Sequence, residues 1–301
     1  MPQETASRDW RDIGAIPRVL PYAPAELTRG RLCRVGEGVG KVVYASEHWV
    51  VKRERTESEI IALIVVWKLL RRLELLLPAP LGRRLVQRPA RQIRFLRILA
   101  QTIVLVVPRS IWFMTHIGNV WTLHQSRDQR GASLAEERLS GTSLIPQSVT
   151  FPPARVKVGG WPGWLEVHEA TERVDTTLHQ RLDELARSGR FEELELWLDR
   201  FLDLRQSGWR HGLFSIDAHL KNFGVTGDRV VLLDTGGLTD AWSEIEKRLA
   251  FEEQLPEPHI RLGMGRLLQS RPDIAARFNA RWKEIVCPAG ILRQWPSGQH
   301  A

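Results

Sequence analysis

The 301-residue sequence has few cysteines and no apolar run of membrane-spanning length. Cys33 and Cys287 are far apart and have no neighbouring Cys/His ligand spacing, which excludes a disulfide framework and a structural zinc site. The longest apolar stretches, 60–67 and 98–107, are shorter than the roughly 20 residues that a membrane-spanning helix needs. The first residues include acids and lack the apolar centre of a secretory signal peptide. We therefore expect a cytoplasmic protein in a reducing compartment.

Acidic residues are also scarce in one part of the chain. The net charge is +8, and residues 68–109 contain a single acid, Glu74. Within them, 83–97 carries only basic charges and precedes the apolar stretch 98–107; its arginines are Arg83, Arg84, Arg88, Arg91, Arg94 and Arg97. This combination predicts that 83–107 contacts an anionic membrane surface; the alternative is a solvated extension of a lobe. The twelve tryptophans are scattered, so nucleic-acid binding is not expected.

With 43% hydrophobic and 26% charged residues, the chain can form one large domain or two lobes. Alternating patterns predict strands over 31–35, 41–45, 48–53, 154–160 and 164–170. Helical patterns occupy 56–77, 176–188, 191–209 and parts of 241–253, 258–269 and 271–286. The predicted class is α+β, with an irregular arm (1–30), a small antiparallel-sheet lobe (31–170) that contains a basic helical insertion (about 81–150), and a mainly helical lobe (171–301).

The chemistry of the sequence is concentrated around one predicted hairpin. Phe223–Val225 and Arg229–Leu233 are strand-like on either side of a Thr-Gly-Asp turn. The residues just outside the two strands, Asn222 and Asp234, should meet at the open end of the hairpin. Asp217 lies five residues before Asn222. Carboxylate and amide oxygens are the ligands that Mg²⁺ prefers, so the pattern predicts a magnesium site that also binds phosphates.

These residues resemble the protein-kinase-like superfamily. Asp217-Ala-His-Leu-Lys-Asn222 has the Asp-x-x-x-x-Asn spacing of the kinase catalytic loop, and Asp234-Thr-Gly stands in the place of Asp-Phe-Gly. His219 is similar to the histidine in the loop of aminoglycoside-type and lipopolysaccharide kinases. The resemblance covers about 31–77 and 154–253, and it implies a bilobal fold.

The N-terminal half agrees with this resemblance. Gly36, Gly38 and Gly40 lie in a turn between two predicted strands, and Val50-Val51-Lys52 is similar to the strand whose lysine grips the α- and β-phosphates of ATP. Glu59 is the best match for the ion-pair partner of that lysine, with Glu57 as the alternative. Gly40 stands one residue earlier than the family spacing places the third glycine.

The resemblance implies an ATP- and Mg²⁺-dependent phosphotransferase. In this interpretation Asp217 accepts the proton of an acceptor hydroxyl, Asn222 and Asp234 hold the metal, and Lys52, positioned by Glu59, binds the nucleotide under the glycine turn. The expected acceptor is a sugar, a lipid-linked glycan or a small metabolite, because 235–253 has no Ala-Pro-Glu motif. Ser215 stands where the family has histidine, so a pseudokinase or regulatory nucleotide-binding module is the alternative. A peripheral membrane scaffold that uses the basic insertion is the third hypothesis.

Overall fold

The computed structural model describes residues 18–37, 40–56, 59–60, 126–160 and 163–296. These residues form a mixed α+β structure with two hydrophobic clusters. The smaller cluster fills a closed five-stranded sheet, and the larger one lies among helices and short strands. Within these described ranges, no helix is long and apolar enough to cross a membrane.

The strands of the closed sheet are β1 (Arg31–Glu37), β2 (Lys41–Ala45), β3 (Trp49–Glu54), β4 (Ser148–Val158) and β5 (Trp164–Glu172). Their order in the sheet is β1-β2-β3-β5-β4, and a parallel pairing of β4 with β1 completes the ring. The other pairings are antiparallel. Apolar residues alternate into its interior, as Val156 and Val158 do on β4, and both are fully buried. The predicted meander of the first three strands is confirmed.

Strand β4 begins earlier than the sequence pattern predicts. The pattern predicts this strand only from residue 154, yet residues 148–150 already pair with β5. The register shifts between Thr150 and Ala154, so Pro152 and Pro153 lie in an irregularity of the ladder. Proline lacks a backbone donor and is tolerated in a sheet at such places, which is why the strand can continue through the two prolines.

The larger cluster, called the helical core below, is built mostly from the second half of the chain. Its helices are α2 (126–139), α3 (Leu178–Arg187), α4 (Phe191–Arg210), α5 (Trp242–Glu252), α6 (Pro258–Arg261), α7 (Pro272–Ile285) and α8 (Pro288–Leu292). The short strands are β6 (Thr176–Thr177), β7 (Phe214–Ser215), β8 (Phe223–Thr226), β9 (Arg229–Leu232) and β10 (Leu238–Thr239). A capping box at Thr177 and Gln180 starts α3, close to the predicted boundary.

The predicted N-terminal arm and the predicted helical insertion both contain a helix. In the N-terminal arm, helix α1 (Ala25–Arg29) buries Leu27 completely in the smaller cluster. In the predicted insertion, α2 contributes Leu134, Ala135 and Leu139 to the helical core rather than to the small lobe. The basic segment 83–107, most of the helix predicted over 56–77 and the first half of the arm lie outside the described residues.

The predicted helix over 258–269 is shorter in the structure. Helix α6 ends at Arg261, and Gly263 has a φ of 98°. This left-handed conformation favours glycine and cannot continue a helix. A Cβ at Gly263 would also come within 2.9 Å of the His219 ring, so the chain turns close against the loop that holds His219.

Candidate functional site

Strands β8 and β9 form the hairpin that the sequence predicts. Val225 pairs with Val230, and the turn contains Gly227 at a φ of 58°. At the open end, the backbone oxygen of Asn222 accepts hydrogen bonds from the N–H groups of Leu233 (2.8 Å) and Asp234 (3.4 Å). Asn222 and Asp234 are therefore neighbours, as the hairpin geometry requires.

The Asp217 loop lies against this open end. The Asn222 side-chain amide donates to the Asp217 backbone oxygen (3.3 Å), and the Asp217 carboxylate accepts from the His219 N–H (3.3 Å). Strand β7 leads into the loop and pairs with β10, while the Ile216 N–H donates to the Gly237 oxygen. These bonds fix Asp217 beside the segment that starts at Asp234.

Lys52 joins the two parts of the molecule at this point. Its ammonium group, on β3, donates to the backbone oxygen of Leu233 at 2.9 Å, one residue before Asp234. The residue as a whole is exposed, but protein surrounds the ammonium end, and this burial lowers the pKa of Lys52. The negative charge of Asp234 opposes the shift in pKa. The structure thus brings Lys52, Asp217, Asn222 and Asp234 together.

Glu59 does not reach Lys52. Its carboxylate receives two hydrogen bonds from the Arg53 guanidinium, at 2.9 and 3.0 Å, and one from the Thr56 N–H. Arg53 and Lys52 are adjacent on a strand, so their side chains point to opposite faces. The short connection after β3 brings Glu59 to the Arg53 side, and the predicted pairing of Lys52 with Glu59 is wrong for this reason. The alternative partner, Glu57, lies outside the described residues.

The three predicted glycines are only partly described. Gly36 lies on β1 next to a register shift, and a Cβ there would make ordinary contacts with Val43 at 3.8 Å. The Gly40 oxygen accepts from the Arg55 N–H at 2.7 Å. Gly38 lies outside the described residues, so a phosphate role for this turn stays a prediction.

Helix α2 reaches the same site, which the sequence analysis did not anticipate. A Cβ at Gly131 would overlap the Thr235 oxygen, and one at Gly236 would come within 2.5 Å of the Asp128 carboxylate. Asp128 also forms an ion pair with Lys41 of β2 at 3.3 Å. The signal in the sequence was weak: Gly131 is one glycine within the predicted insertion, and no motif distinguishes it.

The buried guanidinium group of Arg205 supports the loop that contains Asp217. Arg205 on α4 donates to the Ser215 backbone oxygen at 2.9 Å and packs against aromatic rings, those of Trp209, Phe214 and Trp282. Its complete burial lowers its pKa to about 10. The Ser215 hydroxyl in turn donates to the Asp217 backbone oxygen. Ser215 is thus held by an arginine from the preceding helix.

His219 is oriented within the loop. Its Nδ1 accepts a hydrogen bond from the Lys221 N–H at 3.3 Å, which leaves Nε2 on the other side of the ring. Burial lowers the pKa of His219, and the charge of Lys221 acts in the same direction. The histidine is therefore expected to be neutral at pH 7.

The carboxylate and amide oxygens of the site are suitable ligands for a hard cation. Asp217 and Asp234 are exposed residues, and one Asp234 oxygen accepts from the Gly236 N–H while no described residue donates to the other. The Asn222 amide oxygen likewise has no donor among the described residues. Asp217 and Asp234 are not part of a cluster of three metal-ligating side chains; within the described ranges that arrangement occurs at Glu26, Glu47 and His48. A metal here would need additional oxygens, such as those of phosphates.

Comparisons of the chain with protein-family models, with curated proteins and with solved structures find no match.

Proposed function

We propose that the protein is an ATP- and Mg²⁺-dependent phosphotransferase with a bilobal, kinase-like fold. The observation that carries this proposal is the hydrogen bond from the Lys52 ammonium to Leu233, beside Asp234. It connects a lysine of the closed sheet to a hairpin end where Asn222 already joins Asp217. Two separate hydrophobic clusters, one in a sheet and one among helices, support the two lobes.

Each residue has a defined task in this proposal. Lys52 binds the α- and β-phosphates, and Asn222 and Asp234 supply oxygens to Mg²⁺. The bound ion would neutralise charge on the phosphate oxygens. Asp217 orients the acceptor hydroxyl and accepts its proton; its carboxylate is exposed and held by the His219 N–H. Catalysis of this kind depends mainly on alignment and on electrostatic stabilisation.

The proposed acceptor is a hydroxylated small molecule, a sugar or a lipid-linked glycan. Helix α5 follows β10 after two residues, and the segment between Asp234 and α5 is short. Such a segment offers little surface for an extended peptide. We propose a cytoplasmic location, at the inner face of the membrane if the acceptor is lipid-linked.

The first experiment measures thermal unfolding with ATP, with and without Mg²⁺. A ligand that binds only the folded state raises the melting temperature, so ATP with Mg²⁺ should give a larger shift than ATP alone. Asp234→Asn should abolish the Mg²⁺-dependent part. Asp228→Asn, in the exposed turn of the same hairpin, is the matched control and should retain it. Equal shifts in both variants would remove Asp234 from the metal site.

A nucleotide-binding module without turnover is the second candidate. Two observations favour it: Glu59 pairs with Arg53 instead of Lys52, and Ser215 lacks an imidazole. Binding of ATP with Mg²⁺, combined with no phosphotransfer to a broad panel of hydroxyl acceptors, would favour this candidate over the enzyme.

A further inference from the structure

A row of three residues crosses the outer face of the closed sheet, apart from the candidate site. Arg31 on β1 pairs with Lys157 on β4, and Lys157 pairs with Trp164 on β5. All three side chains are on the exposed face, because their neighbours in sequence, such as Leu32 and Val158, fill the interior. Arg155, two residues before Lys157, lies on the same face.

The cations of this row are not neutralised within the described part of the chain. Arg31, Arg155 and Lys157 have no carboxylate at ion-pair distance there, although Glu166 stands opposite Arg155 on β5. Like charges on directly opposite strand positions destabilise a sheet, and Arg31 and Lys157 are such a pair. On the helical core, by contrast, exposed arginines such as Arg277 and Arg281 form ion pairs with acids. The row thus retains a positive charge that an anionic partner can neutralise.

The exposed ring of Trp164 lies close to these basic side chains. Trp164 is 47% exposed, and the charged ends of Arg155 and Lys157 lie 5.2 and 5.9 Å from its ring centroid. It follows a turn bounded by Gly160 and Gly163, both with positive φ, and the sequence between them is Trp161-Pro162. Tryptophan beside basic residues at the tip of a hairpin suits a membrane interface, where one part of the ring is apolar and the other is hydrated.

We propose that this face, comprising Arg31, Arg155, Lys157 and Trp164, binds the surface of an anionic lipid bilayer. The exposed apolar side chain of Val35, further along β1 from Arg31, favours a bilayer over a nucleic acid or an acidic protein. None of these residues belongs to the basic segment 83–107. It is also distinct from the side of β2 and β3 that directs Lys41 and Lys52 to the candidate site. The proposal does not depend on phosphotransferase activity.

Co-sedimentation of the full chain with lipid vesicles tests the proposal. Phosphatidylcholine vesicles that contain phosphatidylglycerol should bind the protein, vesicles of phosphatidylcholine alone should not, and added salt should weaken binding. The double variant Arg155→Gln/Lys157→Gln should lower the partition coefficient about thirty-fold, roughly five- to six-fold for each cation. The control Arg229→Gln/Arg266→Gln makes the same change in net charge at exposed sites of the helical core and should bind like the wild type.

Trp164→Ser provides a second variant that leaves the charge unchanged, and it should reduce binding even at low salt. The melting temperatures of all variants show whether each one is folded. The proposal is overturned if the wild type binds neither kind of vesicle or both equally. It is also overturned if the double variant binds like the wild type while Arg88→Gln/Arg91→Gln/Arg94→Gln does not. Loss of single-stranded RNA binding in the double variant, without vesicle binding by the wild type, would assign the face to a nucleic acid instead.

Discussion

The closed sheet and the helical core contribute side chains of opposite character to the candidate site. Strands β2 and β3 contribute the cations Lys41 and Lys52, which share a face because Lys52 is opposite Val43 and Lys41 is opposite Glu54. The helical core contributes the oxygen donors Asp217, Asn222 and Asp234.

This division of charge has a functional consequence. Phosphates are attracted to the cations and a metal ion to the oxygens, so a metal-bound nucleotide would contact both regions at once. In the structure, the two regions already hold each other through the Lys52–Leu233 hydrogen bond and the Lys41–Asp128 ion pair. We infer that variants on the two sides of the site should have different, separable effects.

The largest expected effect is on turnover. Asp217→Ala, on the helical-core side, should lower phosphotransfer by a factor on the order of 100 or more while ATP affinity changes little, because only the acceptor loses its partner. Lys52→Ala, on the closed-sheet side, should weaken both ATP binding and turnover. Initial rates and nucleotide affinity, measured separately, distinguish the two variants. If Asp217→Ala weakened ATP binding as strongly as Lys52→Ala, the division of tasks between the two regions would be wrong.

The sequence predicted the parts of the structure that are local along the chain. The β8–β9 hairpin needs only residues 223–232, and its turn is marked by Gly227. Helix α4 has a regular apolar stripe that includes Leu194, Leu198 and Phe201, and it lies within one residue of its predicted bounds. Because Asn222 and Asp234 flank the hairpin, their proximity followed from the same local pattern.

The parts that were missed depend on contacts between distant segments. The pairing of β1 with β4 joins Arg31 to Lys157, and no local pattern specifies it. The contact of Gly131 with the Thr235–Gly236 backbone is equally distant in sequence. The predicted partner of Glu59 was wrong because the choice between adjacent Lys52 and Arg53 depends on the face of β3 on which Glu59 lies.

A second prediction separates the stability of the closed sheet from nucleotide binding. Glu59 is 7% exposed, and Glu59→Gln removes the charge that pairs with Arg53. Losing one partner of a buried pair costs about 3–5 kcal/mol, and the partial exposure of Arg53 reduces the expected loss of unfolding free energy to about 2 kcal/mol. The temperature shift caused by ATP with Mg²⁺ should persist, because Lys52 is not the partner of Glu59.

Urea denaturation measures the loss of stability, and Glu54→Gln is the matched control. Glu54 lies on β3 next to Arg53, is exposed, and forms no ion pair with a described residue, so its substitution should change the unfolding free energy by less than about 0.5 kcal/mol. A selective loss of the nucleotide shift in Glu59→Gln, with unchanged stability, would instead restore the kinase-like role of Glu59.

The smallest expected effect tests whether α2 belongs to the site. Alanine normally stabilises a helix relative to glycine by up to about 1 kcal/mol, but a Cβ at Gly131 would overlap the Thr235 oxygen and come within 2.9 Å of the Gly236 oxygen. Because both contacts are with backbone, α2 must shift, and overpacking of this kind costs about 1–3 kcal/mol. We expect Gly131→Ala to lower the unfolding free energy by about 1 kcal/mol after the helical gain is included. It should also reduce the ATP-dependent temperature shift, since α2 carries Asp128, the partner of Lys41.

Gly265→Ala is the control, because its Cβ would meet Ile260 at an ordinary 3.8 Å. Stabilisation by Gly131→Ala with an unchanged nucleotide shift would show that α2 does not pack against the Asp234–Gly236 segment in solution.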